Sequence, residues 1–479
     1  MSVKDQQLRI LFSLLSKAQH TQYGKTHNFS QINTYPDFCE ALPICLYDDI
    51  KPQIEEMKRG QEHILWPGAI TKYAVSAGTT GQGKHLPLSA ERLQSDCRFM
   101  RRVAFSYLKK WSRIPSIWGK HLSLPGSVEQ QNGNQIGEIS GFTALKSPWW
   151  IRPFQLQKPE LLTQLPFKEK FEKVLESALN RNIKVIVGVP SWILTLFQQA
   201  IKRTGNKTVS DVWPNLQLLI CGGVKLANYR LHLEKLYGRP NLDFIETYGS
   251  SEGYFAFSDN LQKNDLRLVC DNDLFYEFIS DPLPKMESLS IQPTVPLWEV
   301  QPNQPYAMLV TTNAGLWRYA MNDVVTFTSV DPPRMEVKGR LNEMLDEYGE
   351  ALHLYEAEEA LHQAARELGL KTSAFTVGGW LKYEQELPQH YWFVQFVDPI
   401  HTQTLQKLAS IIDEKLQKMN RHYAIRRESG ALGTPKIRSI TQQEINNWME
   451  HSHRQQAQGK LPSLLQNKDD IAFFMRDES

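Results

Sequence analysis

Apolar residues recur at helical spacing in some stretches of the chain and run as β-branched blocks in others, and the two kinds alternate. The spacing over 167–181 (FKEKFEKVLESALNR) predicts a helix, and the run IKVIVGV over 183–189 suits a strand covered on both faces. Pro190 and Ser191 then open a helix over 192–203, proline being tolerated in a first turn. A strand over 216–221, Gly222-Gly223, a helix from 226 to 237 and a strand over 242–247 follow, the last running directly into YGSSEG. Strand–helix–strand units of this length imply parallel neighbours with helices on the faces. Ligands then collect beyond the carboxyl ends of the strands.

Past Glu252 the pattern changes to short strands over 274–279, 307–312 and 324–328, broken by proline-rich turns, which predicts a β-rich subdomain. A boundary near Arg340 precedes a helix over 355–368, strands over 373–381 and 391–397, and a helix over 404–422, a compact α+β set.

With 479 residues, 41% apolar and 22% charged, the chain has the makeup of a folded globular protein with room for two or more units. Lys plus Arg number 54 against 52 Asp plus Glu, so no global field draws the protein to nucleic acid or an acidic membrane, and neither is expected as a partner. Five cysteines, an odd count without a CxxC pair, argue against a disulfide framework or a zinc cage and for a reducing, cytoplasmic setting. The first 22 residues are amphipathic rather than signal-like, and the apolar stretch over 185–197 is too short to span a bilayer and holds Pro190.

The densest chemical signal is SAGTTGQGK, Ser76 to Lys84, after a strand-like 72–75. Glycines let backbone N–H groups approach an anion, hydroxyls donate to it, and lysine adds a compact positive charge, so the segment suits phosphate. Gly78 to Lys84 also satisfies GxxxxGK. His85, however, stands where a P-loop has the Ser or Thr that holds magnesium, and 86–88 look extended where a P-loop opens a helix.

This segment resembles the phosphate loop of the adenylate-forming superfamily. The run Glu246-Thr247-Tyr248-Gly249-Ser250-Ser251-Glu252-Gly253 resembles that superfamily's central motif in the form typical of the Gretchen Hagen family of acyl acid-amido synthetases. TTNAGLWRY, Thr311 to Tyr319, followed by Asn322-Asp323-Val324-Val325, is similar to the family's TTxAGLxRYxxGDVV segment, and Phe275 to Ile279 (FYEFI) to its YFEF strand. Tyr23-Gly24, Leu42-Pro43-Ile44, Tyr47 and Asp48 also fit, so the resemblance covers nearly the whole chain. Asn322 stands where the family has Gly, a departure that bears on the backbone there because Asn takes positive φ less freely. A chain shorter than the plant relatives suggests a bacterial member.

The resemblance implies an α/β fold: a large N-terminal adenylation domain over 1–340, with mixed, largely parallel sheets and a β-barrel-like subdomain, and a small mobile α+β domain over 341–479. It implies ATP and Mg2+ as cofactors and two half-reactions. A carboxylate attacks the α-phosphorus of ATP, releasing pyrophosphate, and an amine, usually an amino acid, then takes the acyl group and releases AMP. Ser76, Thr79 and Thr80 would hold the phosphates with Lys84 helping, Ser251 would join the nucleotide site, and Glu252 would meet magnesium. The backbone of Gly222, Gly223 and Val224 would contact adenine, Tyr248 would pack on it, and Asp323 would accept from the ribose hydroxyls. Arg340 is similar to the hinge cation that meets ribose or phosphate. Lys460 is the candidate lysine of the mobile domain, with Lys436 competing for that role.

For the acid, the expected wall is the helix over 90–108, whose Arg98, Arg101 and Arg102 could meet a carboxylate, and the 189–192 turn with Trp192. A monomer or weak homodimer is expected. Two other readings stay open on these residues: an acyl-CoA synthetase sharing the first half-reaction, and a non-catalytic relative that only binds the nucleotide.

Overall fold

The structure is a computed structural model, and it describes residues 1–76, 84–111, 119–149, 151–260, 263–280, 289, 292–341, 344–345, 348, 350, 352–380, 387–452, 461–465 and 468–475. The chain forms two compact units: one of Met1–Leu226 and Leu233–Val337, the other of Ala227–His232 and Lys338–Ser479.

The larger unit holds strands β1 (Lys72–Ser76), β2 (Lys84–Pro87), β3 (Lys120–Ser123), β4 (Val128–Gln131), β5 (Asn134–Gly137), β6 (Ile183–Gly188), β7 (Leu218–Gly222) and β8 (Asp243–Gly249). After these come β9 (Tyr254–Phe257), β10 (Leu266–Leu268), β11 (Leu274–Ser280), β12 (Val295–Pro296), β13 (Pro305–Thr312), β14 (Tyr319–Val330) and β15 (Pro333–Arg340), whose last three residues fall in the smaller unit's range. Strands β3, β6, β7 and β8 are parallel neighbours, as the alternating pattern predicts. The helices between them, Phe167–Leu179 and Pro190–Thr204, bury Phe171, Val174 and Leu175, and Ile193, Leu196 and Phe197. Each such side chain contributes about 1.5–3 kcal/mol of burial.

The β-rich section continues this sheet edge to edge, giving eleven strands in the order β12-β11-β13-β14-β15-β10-β9-β8-β7-β6-β3. The junction is the β8–β9 reversal, where Ser250 N–H donates to Gly253 O at 2.7 Å and the pairing turns antiparallel. A second sheet, in the order β2-β1-β5-β4, carries the glycine-rich segment's two flanks. The N-terminal helix Val3–Ala18 is stitched to β11 by the buried Gln7 amide, which donates to Cys270 O (2.8 Å) and Leu274 O (3.1 Å) and accepts from Tyr276 N–H (3.0 Å).

In the smaller unit, β16 (Met344–Leu345) pairs with β17 (Leu352–His353), while β18 (Thr372–Trp380) and β19 (Gln389–Phe396) form an antiparallel pair flanked by β20 (Lys436–Ser439) and β21 (Leu464–Leu465). Leu361, Phe375, Trp392, Leu408 and Ile412 are at its core. The single helix expected over 404–422 is two, Thr402–Met419 and Arg421–Glu428. Asn420 leaves helical geometry at φ −121° and its side chain caps the second helix by accepting from Tyr423 N–H at 2.8 Å. Asn favours such caps because its amide oxygen replaces a missing intrahelical acceptor. All five cysteines are free thiols, and no helix among the described residues is long and apolar enough to cross a membrane.

Candidate active site

The parallel strands end together: Gly188 lies opposite Cys221, and Gly222 opposite Thr247. A Cβ at Gly222 would lie 2.6 Å from Thr247 Oγ1, so only glycine permits this approach, and Gly223 at φ +83° turns the chain away from the sheet. Gly223 also lies beside Val189, a Cβ there standing 3.4 Å from Val189 Cγ2, so the 222–224 and 189–192 turns share one edge. Trp192 is buried in that second turn, with its ring 4.9 Å from Phe167.

At the same edge Tyr248, the penultimate residue of β8, donates its hydroxyl to Asp323 Oδ2 on β14 at 2.6 Å, while its ring packs 5.1 Å from Phe255. Asn322, just before that aspartate, adopts φ 68°, so the left-handed conformation that the family's glycine implies is kept by the residue type best able to replace it. The turn beyond β8 is tied down by Glu252 N–H to Ser250 Oγ (3.2 Å), and Ser251 Oγ donates to Val75 O (3.4 Å), next to Ser76. Tyr248, Asp323, Ser251 and the end of β1 are thereby gathered at one place by direct contacts.

Ser76 and Lys84 face each other across the antiparallel β1–β2 pair. Lys84 therefore sits on a strand and not at a helix start, which removes the P-loop geometry. Thr79 and Thr80 lie in 77–83, outside the described residues. The Lys84 ammonium stands 5.5 Å over the Tyr47 ring.

The Glu252 carboxylate has no hydrogen bond or ion pair among the described residues, and its backbone oxygen accepts from Arg92 Nε at 3.2 Å. Among the described residues no group of three His, Cys, Asp or Glu side chains could hold a metal. Burial, followed by the nearby Glu252 charge, pushes the Tyr319 hydroxyl far above the ordinary phenol range.

On the helix Ala90–Trp111, Arg101 and Arg102 are exposed, Arg102 is held by Asp271 and Arg98 by Asp273. The helix turns Phe99, Val103 and Tyr107 onto Val185, Leu218 and Ile245. Among its described residues Arg92 is buried, 1% exposed, and ion-paired with Asp96. Burial lowers the Arg92 guanidinium to about 10 against the opposing charges of Tyr254 and Glu252, which keeps it charged at neutral pH. Ser89 accepts from Arg92 N–H (2.9 Å) and donates to Asn313 O (2.5 Å), and Asn313 donates to Ser95 (2.9 Å), so the TTNAGLWRY segment is fastened to the same helix turn. The sequence reading missed this group. Its signal was an arginine and an aspartate four apart on the helix's apolar face.

Arg340 is the exposed last residue of β15, and Lys460 lies outside the described residues. Lys436 stands 5.5 Å over the Tyr391 ring and donates to that hydroxyl at 3.4 Å.

Three family models match this chain: the GH3 family N-terminal domain over residues 1–194, the GH3 family central domain over 267–340 and the GH3 family C-terminal domain over 355–469. An indole-3-acetic acid-amido synthetase, GH3.4 of Arabidopsis thaliana, is 21% identical over 457 residues, covering 80% of this chain and 75% of that protein. The solved AtGH3.15 acyl acid amido synthetase in complex with 2,4-DB superposes with a TM-score of 0.82 at 17% identity, covering 99% of this chain and 93% of that one. A 2-hydroxyisobutyryl-CoA ligase in complex with 2-HIB-AMP superposes at 0.60 and 11% identity, covering 98% and 90%.

Proposed function

Since the chain belongs to the GH3 (Gretchen Hagen) family, we propose that it is an ATP-dependent acyl acid-amido synthetase, joining a carboxylic acid to an amine through an acyl adenylate. In the first half-reaction a carboxylate oxygen attacks the α-phosphorus and the bond to pyrophosphate breaks. In the second an amine, here taken as an amino acid's, attacks the acyl carbon and AMP leaves with the bonding electrons. The observation that carries this reading is the Tyr248–Asp323 hydrogen bond, set at the carboxyl edge of parallel strands and joined through Ser251 to the hairpin that Ser76 and Lys84 close.

In this scheme residues 1–340 adenylate the acid, and residues 341–479 serve the second step. Asp323, oriented by Tyr248, accepts from the ribose hydroxyls; the close-set Gly222–Gly223 backbone lies along adenine. Ser76, Thr79, Thr80 and Lys84 surround the phosphates. Such catalysis is mostly positioning and charge neutralisation. Glu252, whose carboxylate has no hydrogen bond or ion pair among the described residues, would hold magnesium, a cation commonly bound by one or two carboxylates together with substrate phosphate oxygens. When bound it neutralises phosphate charge. Arg340 is the proposed hinge cation and Lys460 the second unit's lysine.

The test is AMP release with ATP, magnesium and a panel of carboxylic acids, with amino acids or CoA as competing acceptors. Acid-dependent AMP formation stimulated by an amino acid, with an amide seen by mass spectrometry, is the expected outcome. Stimulation by CoA alone would move the protein to the thioester-forming ligases. Glu252→Ala and Asp323→Ala should each lower acid-dependent pyrophosphate exchange by about 10²-fold or more with unchanged circular dichroism. Wild-type exchange in both would overturn the site assignment.

A further inference from the structure

The proposed chemistry leaves unexplained the N-terminal segment around Leu42-Pro43-Ile44, Tyr47 and Asp48. This segment reaches the nucleotide side of the larger unit by two routes. Cys45 N–H donates to Arg318 O at 3.0 Å and Ala320 N–H donates to Cys45 O at 2.9 Å, so Cys45 lies as a one-residue bridge beside Tyr319 at the start of β14. Two residues on, Tyr47 opens the helix Tyr47–Lys58, whose first turn is fixed by Asp49 accepting from Leu46 N–H at 2.8 Å. The Tyr47 ring, half-buried and packed on the core, is thus placed by backbone contacts rather than left to rotate at the surface.

Both flanking groups at the exit of the glycine-rich segment rest on this tyrosine. His85 N–H donates to the Tyr47 hydroxyl at 2.9 Å, and the Lys84 ammonium stands 5.5 Å over its ring. Burial raises the Tyr47 hydroxyl above its usual range, so it is a neutral acceptor at physiological pH. Among the described residues no carboxylate pairs with Lys84, whereas Lys58, on the same helix as Tyr47, is paired with Glu55. An aromatic face attracts an ammonium without neutralising it, so the lysine is oriented while its charge stays available to an anion.

We propose that Tyr47 is a positioning residue for ATP phosphate binding, holding Lys84 and the His85 backbone in place at the exit of the glycine-rich segment. The inference rests on the proposed adenylation reading for its reaction, but it can be measured on nucleotide binding alone.

The experiment uses the full chain and compares wild type, Tyr47→Leu, Tyr47→Phe, Lys84→Ala and Tyr47→Leu/Lys84→Ala. The ATP Kd is read by calorimetric titration, and the KM values for ATP and acid by pyrophosphate exchange. Removing the ring and hydroxyl together should weaken ATP binding by about three- to tenfold, while the KM for the acid stays within about twofold. Tyr47→Phe, which keeps the ring and the fold, should fall between wild type and Tyr47→Leu. Because the ring acts through the lysine and the hydroxyl through the His85 backbone, the double variant should bind ATP more weakly than Lys84→Ala by no more than the factor lost in Tyr47→Phe, within about twofold. Multiplying single effects, a parallel rise in the acid KM, or an unchanged ATP Kd in Tyr47→Leu would each overturn the proposal. Absence of acid-dependent exchange in the wild type would instead sink the adenylation reading, and the binding arm would still decide the role of Tyr47.

Discussion

Glu356 is a buried carboxylate whose charge state responds to ordinary changes of pH. It is buried in the first turn of the helix Leu354–Glu367, accepting from Asn420 Nδ2 at 2.6 Å and His353 N–H at 3.0 Å. Burial pushes its carboxyl up to about 7, and those two hydrogen bonds only partly oppose the rise. A raised carboxyl contributes stability that is fully present below its unfolded value near 4.5 and is lost as pH climbs through 7. The loss should approach about 3 kcal/mol. Amide hydrogen exchange over 354–367 should accelerate between pH 5 and pH 8 beyond its intrinsic pH dependence. Glu356→Gln should flatten that excess, and equal slopes in both proteins would contradict the assignment. The His390–Glu350 pair shows the opposite balance. Burial pushes the Glu350 carboxyl up, but the His390 contact at 2.9 Å and the Tyr348 backbone amide outweigh it and hold it below the usual range.

Among elements, the one that organises the site is the end of the β7–β8 pair. Gly222→Ala would drive a methyl to within 2.6 Å of Thr247 Oγ1, so adenylation should fall at least tenfold while circular dichroism stays close to wild type; retained activity would show that the edge can open. The start of β14 depends on a buried charge instead. Arg318, at φ 45°, donates to Glu277 at 3.2 Å and to Thr294 Oγ1 at 2.8 Å, and reaches Cys39 O and Leu42 O at 3.0 and 2.6 Å, binding the N-terminal segment to the sheet. Arg318→Met leaves Glu277 buried and unpaired and should cost about 3–5 kcal/mol in urea unfolding. Arg318→Met/Glu277→Leu should recover part of it, and a double variant no more stable than the single would rule out the unpaired charge as the cause. Helix and strand types along 167–249 followed from periodicity, because apolar spacing is a local property of the chain. The break at Asn420 did not, since an asparagine inside an apolar pattern becomes a cap only where the following helix changes direction.

At the scale of the whole molecule, the chain passes from the larger to the smaller compact unit at Val337–Lys338, and the smaller one also includes Ala227–His232. On the proposed reading Arg340 serves the transition between half-reactions. Arg340→Ala should therefore slow amide formation by about tenfold or more while pyrophosphate exchange changes less; equal loss in both would assign it to the first step alone. The sequence by itself determined the family and the parallel strand–helix run, because those depend on short motifs and on periodicities that neighbouring residues carry together. Only the tertiary structure decided that the β-rich section extends the parallel sheet and that Lys84 stands on a strand paired with Ser76. It alone showed that Arg92 is buried while Arg101 and Arg102 are exposed, and that the Lys84 ammonium lies over the Tyr47 ring. The physical reason is the same in each case: these facts are pairings between residues far apart along the chain, and a charged side chain's burial and partners are set by what the fold packs against it.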